Sequence, residues 1–174
     1  RSKADLSIHL RPARGVVVTV GGEVERQRGS SAFTSMSQFG PFESASYNER
    51  TNRAAYAQAM LPASSLTVTA GARTEDNDRF GTFSTWRAGA NLRIADGTLL
   101  RVAAGTGFKE PTFFENYAEG FTRGNPELQP EESRSREVGA EQQLADGRVR
   151  IGATWFDQRF TNLIQYTAQP ATPG

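Results

Sequence analysis

The segment Asp76-Asn77-Asp78-Arg79-Phe80-Gly81 sets carboxylates at the first and third positions of a loop and a glycine at the sixth. A calcium loop opens this way, because a hard divalent cation collects oxygen ligands at alternate positions around a sharp turn. The ligands then run out: the fifth position is Phe80 and the twelfth is Arg87. A plain polar hairpin loop with no metal is the expectation. Gly105-Thr106-Gly107-Phe108-Lys109-Glu110 begins as a dinucleotide fingerprint does, but Glu110 replaces the third glycine and Pro111 follows. That fingerprint works by aiming a helix N-terminus at a pyrophosphate. Here the glycines sit in an amphipathic strand with no long helix behind it, so no cofactor is expected. His9 is the only histidine, and no nucleophile or second histidine stands at a recognisable spacing from it. The chain therefore offers no catalytic residues and is read as a non-enzyme.

The remaining chemistry is that of contact. Phe113, Phe114, Tyr117 and Phe121 fall in one long loop rich in proline and glycine, and Pro111 suits the first turn of a short helix running through Tyr117. Their spacing of three and four residues fits packing beneath the loop, and it fits equally a set of exposed aromatics that grip a ligand. A loop this long is usually functional or mobile.

The 174 residues allow one ordinary domain. Twenty basic and nineteen acidic residues leave a net charge of +1, and no basic stripe is present to neutralise phosphates, so no nucleic-acid partner is expected. Cysteine is absent, which removes thiolate metal sites and disulfides. No apolar run approaches the ~20 residues of a membrane-spanning helix. That leaves a membrane β-barrel open, since its strands alternate and average out as polar. The chain begins at Arg1 without a targeting segment, as a processed chain or a piece of a longer one would.

Period two dominates the chain. Leu66, Val68, Ala70 and Ala72 alternate with Thr67, Thr69, Gly71 and Arg73, one apolar face against one of glycine and charge. Trp86 to Ile94, Leu100 to Phe108 and Val149 to Trp155 repeat the pattern, and Asp5 to Leu10, Val16 to Gln27, Asn52 to Met60 and Ser135 to Leu144 are further strands. The expected fold is all-β, an antiparallel up-and-down meander of about eight strands. Connections alternate in length: Arg11 to Arg14, Leu61 to Ser65 and two Ala-Asp-Gly copies, at 95–97 and 145–147, are short. Asp-Gly supplies the positive φ angles of a type I′ hairpin turn. Between them lie longer links over Gly29 to Arg50, Asp76 to Thr82 and Lys109 to Arg134.

Short turns at one end and long loops at the other are the pattern of part of a larger transmembrane β-barrel in an outer membrane. Lipid would then meet the apolar face. The lumen face would carry Arg73, Arg87, Arg93, Arg101, Glu137, Glu141, Arg148 and Arg150, charges that would be costly in a dry core. Trp86 and Trp155 would belong to an interfacial aromatic belt, with core packing as the alternative. A soluble β-sheet adhesin or carbohydrate-binding module predicts the same alternation but not the asymmetric connections, and a passive porin explains the strands alone.

Four stretches carry a family resemblance: Gly105-Thr-Gly-Phe-Lys-Glu-Pro-Thr112, Gly124-Asn-Pro-Glu-Leu-Gln-Pro-Glu131, Ser135-Arg-Glu-Val-Gly-Ala-Glu141, and Phe156 with Asn162-Leu-Ile-Gln-Tyr166. In this order they resemble the second half of the barrel of TonB-dependent outer-membrane receptors, and Arg53 to Gln58 with Gly71 to Gly81 are most similar to the vitamin B12 receptor subgroup. Glu110 stands where that family commonly has alanine. The resemblance implies that residues 1–174 are part of a barrel of about 22 strands, without its plug domain or remaining strands. Eight strands alone would leave two open edges, and residues 168–174 would fall in an extracellular loop. It implies an outer-membrane location in a Gram-negative-type bacterium and import of a scarce ligand, such as cobalamin or a ferric siderophore. The partners would be that ligand, outer-membrane lipid and, through the missing plug, the TonB complex. Phe113, Phe114, Tyr117 and Phe121 are then candidate ligand contacts, and the lumen arginines counter-charges for plug or ligand.

Overall fold

A computed structural model of the chain describes residues 1–38, 40–120 and 122–167. They form one eight-stranded antiparallel sheet in simple sequential order: β1 (Ser2–Leu10), β2 (Val17–Ser37), β3 (Gly40–Ala63), β4 (Leu66–Asn77), β5 (Gly81–Ala95), β6 (Thr98–Lys109), β7 (Glu131–Leu144) and β8 (Val149–Thr161). One short helix, α1 (Phe113–Tyr117), lies between β6 and β7. The sheet is an open meander, with β1 and β8 as its edges.

Register assigns each residue to a face, because directly opposed residues point the same way. Ala72 faces Trp86, Ala88 faces Ala104, Val102 faces Val138 and Val138 faces Trp155, so the apolar positions of neighbouring strands join into one continuous band. On the other face Gly71 opposes Arg87, which opposes Gly105. Apart from prolines, Ala118 is the one buried apolar side chain among the described residues, while Glu25, Arg50, Asn52, Glu75, Asn77 and Asn116 are buried and polar. A sandwich would bury its apolar face against a second sheet. Here that face stands open, with Trp86 49% and Trp155 60% exposed rather than packed in a core.

Three expectations need correction. The link over Gly29 to Arg50 is no loop: β2 and β3 stay paired from Val17↔Met60 to Ser37↔Gly40. Ser, Thr, Phe and Tyr populate this stretch without an apolar face, and pairing satisfies its backbone donors and acceptors without one. The turn after β3 is confined to Ser64 and Ser65, with Ser64 at φ 49. The two Ala-Asp-Gly copies also differ. Ala145, Asp146 and Gly147 all adopt positive φ, whereas in the first copy Gly97 alone does, beside a register shift between Arg93 and Ala95.

Candidate functional site

The loop between β6 and β7 folds back on the long β2–β3 hairpin. Thr112, not Pro111, starts the helix: the Thr112 hydroxyl accepts from the Glu115 N–H at 3.1 Å, and the Thr112 N–H donates to the Glu115 carboxylate at 2.7 Å. This reciprocal capping box satisfies two donors that a five-residue helix would otherwise leave open. Pro111 precedes the cap and is fully buried. The Gly124-Asn125-Pro126 run then closes onto α1. Gly124 N–H donates to Ala118 C=O at 2.8 Å, Asn125 N–H to Glu115 C=O at 2.9 Å, and the buried Asn116 amide to Asn125 C=O at 3.0 Å.

Beneath this loop lies a polar network. Arg50, 5% exposed, donates to Pro111 C=O at 2.6 Å, reaches Glu110 at 3.0 Å and forks onto the Gln27 side-chain oxygen at 3.1 and 2.8 Å. Glu110 also accepts from Gln27 at 3.2 Å, from Asn52 at 3.1 Å and from Asn77. Burial lowers the Arg50 pKa from its ordinary value, against the opposing pull of Glu110. Asn77 closes the segment that resembled a calcium loop, its side-chain oxygen accepting from the Arg79 and Phe80 N–H groups at 2.9 and 3.0 Å. Asp76 takes Thr82 and Asp78 takes the Thr51 N–H, so protein donors occupy both carboxylates. Arg79 reaches Pro126 C=O at 3.0 Å.

These anchors decide where the aromatics stand. Phe113 lies under the Arg50 guanidinium, 4.8 Å from its ring centre, and Tyr117 under Arg79 at 4.9 Å. Cation–π contact of this kind ties both rings to the wall. Phe113 also fills the space beside Gly29, where a Cβ would come within 2.6 Å of the ring. Phe114 is 55% exposed. With Phe113, Tyr117, Ser46 and Asn48 it borders a depression of about 270 Å³ between helix and hairpin. Phe121 lies outside the described residues.

Arg73, Arg87, Arg93, Arg101, Glu137, Glu141 and Arg150 share the sheet face that bears this network, by register. Arg148 sits in the turn before β8. The others are not equivalent. Arg73 bonds Glu23 at 3.1 Å and Glu75 at 2.6 Å, and Arg101 and Arg150 each reach Glu141 at 3.3 Å. Among the described residues Arg87 and Arg93 form no ion pair, and Arg87 borders a depression of about 540 Å³ floored by Gly89, Ala103, Gly105 and Gly107. Arg50, Gln27 and Asn52 were not singled out from sequence, and Asn77 and Arg79 were read only as part of a plain polar hairpin loop. The signal available was the period-two run Glu23, Glu25, Gln27 on one face of β2.

Burial would push the Glu115 carboxyl up, but bonds from Thr112 and the charge of Lys109 outweigh it and hold the pKa below its ordinary value. A depressed carboxylate contributes stability above the unfolded pKa, ~4.3, and loses it as pH falls through the lower folded value. Thr112→Ala is expected to cost the loop about 1 kcal/mol and to flatten this acid dependence. Amide exchange of residues 113–118 at neutral and acidic pH, in the full-length protein, would show it.

A family model described as TonB dependent receptor-like, beta-barrel matches residues 3–174. Vitamin B12 transporter BtuB of Vibrio vulnificus (strain YJ016) is 34% identical over 129 residues, 74% of this chain and 20% of that protein. BtuB of Photobacterium profundum is 33% identical over 72% of this chain and 20% of its own length. The chain thus spans about a fifth of these relatives. Among solved structures, the siderophore receptor PirA of Pseudomonas aeruginosa superposes with a TM-score of 0.71 at 19% identity, covering 91% of this chain and 31% of that one. A ferric enterobactin receptor mutant from the same organism, in complex with enterobactin, gives 0.76 at 17% identity over 97% of this chain and 28% of that one.

Proposed function

Because the chain belongs to the TonB-dependent receptor β-barrel family, a family of receptors and transporters rather than enzymes, we propose that residues 1–174 form barrel wall in an outer-membrane receptor. The plug and the remaining strands would be contributed by chain outside these residues. The whole receptor imports cobalamin, the ligand for which the 34%-identical relative is named, with energy delivered by TonB to the plug.

The observation that carries this reading is the anchored loop. Side chains of Gln27, Arg50, Asn52, Asn77 and Arg79, from β2, β3, β4 and the β4–β5 turn, hold Glu110, Pro111 and Pro126 against the wall, at the end of the sheet that bears the extended β2–β3 hairpin and the β6–β7 loop. Anchoring of this kind presents the side chains of the loop in one arrangement, the preorganisation that ligand recognition uses. Phe114, exposed beside that anchored framework, is the aromatic left free to meet a ligand, while Phe113 and Tyr117 shape the depression around it. Phe121 remains a candidate contact in the same loop. On the same face the wall arginines divide: Arg73, Arg101 and Arg150 are matched within the wall, and Arg87 and Arg93 are counter-charges for plug or ligand.

The test is binding and uptake of labelled cyanocobalamin by cells carrying the full-length protein, with and without TonB. Surface binding that survives loss of TonB and uptake that does not is the expected result. Uptake independent of TonB would support a passive pore, and competition by ferric enterobactin but not by cobalamin would move the ligand to a siderophore. A protein that stays soluble without detergent would end the barrel reading.

A further inference from the structure

The depression between α1 and the β2–β3 hairpin has an aromatic side and a polar floor, and the loop meets the hairpin at both of its ends. Paired rungs of the hairpin build the floor: Gly29 opposes Asn48 and Ser31 opposes Ser46, on the face that also carries Gln27 and Arg50. At the inner end Phe113 fills the notch at Gly29 beneath the Arg50 guanidinium. At the outer end, one rung further along, Phe33 opposes Ser44. A Cβ at Gly120 would come within 2.8 Å of the Phe33 ring, and the Ser44 hydroxyl donates to the Glu119 carboxylate. Phe114, Tyr117 and Ala118 line the depression from the helix side.

The floor has hydrogen-bonding capacity that the protein does not use. Among the described residues the side chains of Ser31, Ser46 and Asn48 make no hydrogen bond and no ion pair, although Gln27 and Arg50 on one side of them and Ser44 on the other are all engaged. Among the described residues no side chain lining the depression is charged. The charge at its outer rim is acidic, Glu119, and the cation at its inner end, Arg50, is committed to Glu110, Pro111 and Gln27. A volume of about 270 Å³ lies below the roughly 300–1,000 Å³ of pockets that enclose a drug-sized molecule. A corrinoid is larger still, so it enters by one edge only.

We infer that this depression receives an uncharged carboxamide edge of the ligand, with Ser46 and Asn48 reading the amide and Phe114 covering it; this rests on the cobalamin reading above. Cobalamin carries carboxamide side chains around its ring, whereas ferric enterobactin carries negative charge on its catecholate oxygens. A carboxamide both donates and accepts, and so do the serine hydroxyls and the asparagine amide, so every group finds a partner when water leaves. A carboxylate or catecholate only accepts. It would arrive beside Glu119 with no free cation in the lining to offset the cost of desolvating its charge. Ser46 and Asn48 therefore determine specificity, by favouring the neutral edge over an anionic one.

The experiment measures, at neutral pH, the affinity of the full-length protein for cyanocobalamin and for its monocarboxylic acids, in each of which a single peripheral carboxamide is hydrolysed to a carboxylate. The wild type binds at least one monoacid about tenfold or more weakly than cyanocobalamin. Ser46→Ala/Asn48→Ala weakens cyanocobalamin several-fold and narrows that gap. Ser46→Lys supplies the missing cation and narrows it from the other side, by strengthening the monoacid. The ratio of amide to acid affinity is a readout that a merely loosened loop would not move. Should the double alanine variant fail to fold, Ser46→Lys alone decides. Equal affinity for cyanocobalamin and every monoacid, or a gap unchanged in Ser46→Lys, overturns the inference. Absence of cyanocobalamin binding by the wild type overturns the cobalamin reading and this inference with it, whereas binding without discrimination overturns this inference alone.

Discussion

Arg50→Met in the full-length protein is expected to release the loop over residues 110–126 and to weaken ligand binding at least about tenfold, the equivalent of 1.4 kcal/mol. The arginine side chain is 6% exposed and holds three different things at once: the Pro111 carbonyl, the Glu110 carboxylate and the Gln27 amide oxygen. Its guanidinium also forms the upper surface against which Phe113 lies. Methionine keeps much of the volume and none of the donors. Breaking one side of a buried ion pair generally costs about 3–5 kcal/mol, because the partner is left charged and uncompensated. Here Glu110 keeps Gln27, Asn52 and Asn77 as donors, which puts the cost at the lower end of that range.

The reciprocal change separates pairing from positioning. Glu110→Ala installs the residue the family commonly has at this position and removes the acceptor shared by Gln27, Asn52, Asn77 and Arg50. It leaves Arg50 still bound to Pro111 and Gln27. It should therefore be milder than Arg50→Met. The double variant should cost less than the sum of the two, the mark of a direct interaction. Amide exchange across 112–118 and cobalamin affinity are the readouts. Unchanged exchange in Arg50→Met would mean that the loop stands without this anchor.

How much of this was visible in the residues depends on what surrounds each strand. From β4 to β8 one face is apolar and the other carries glycine and charge, so alternation is written into the composition: Val68, Ala70 and Ala72 against Thr69, Gly71 and Arg73. The paired stretch from Gly29 to Arg50 has no such pattern. It extends past the apolar band, where neither face is required to be apolar, and only the partner strand of the hairpin defines it. Ser30↔Tyr47 and Phe33↔Ser44 are good cross-strand neighbours but do not spell out a strand when read singly.

The site was legible in its aromatics and opaque in its anchors. Phe113, Phe114 and Tyr117 fall together in one segment and could be seen as a group. Gln27, Arg50, Asn77 and Glu110 are brought together from four separate segments, with Gln27 and Glu110 83 positions apart. Nothing local marks such a set, since each is an ordinary polar residue in its own neighbourhood. Beside the Glu23, Glu25, Gln27 run, the departure at Glu110 was the other visible clue, and its meaning lies in Asn52, Asn77 and Arg50, which surround it. Of the arginines read as lumen counter-charges, Arg73 is bound by Glu23 and Glu75, and Arg101 and Arg150 share Glu141.

Gly124→Ala should be nearly as damaging as loss of Arg50, for a different reason. Gly124 does not need its flexibility, since its φ is not positive; it needs the absence of a side chain. A Cβ there would sit 2.5 Å from the Asn116 carbonyl carbon, 2.5 Å from the Tyr117 nitrogen and 2.6 Å from the Ala118 nitrogen. All three are backbone atoms of the helix end, so no rotamer change relieves the clash. Either α1 moves off the loop or the Gly124-Asn125-Pro126 turn opens. Both routes stretch the Gly124–Ala118, Asn125–Glu115 and Asn116–Asn125 hydrogen bonds. Overpacking costs about 1–3 kcal/mol, and each lost bond adds about 1 kcal/mol. Gly22→Ala is the matched control, because the nearest atom to a Cβ at Gly22 is 3.6 Å away and nothing has to shift. The expected result is faster proteolysis and amide exchange over residues 113–126 and weaker ligand binding in Gly124→Ala, with Gly22→Ala close to wild type. Equal behaviour of the two variants would show that the turn does not bear on α1, and that the Gly-Asn-Pro run has some role other than closing this loop.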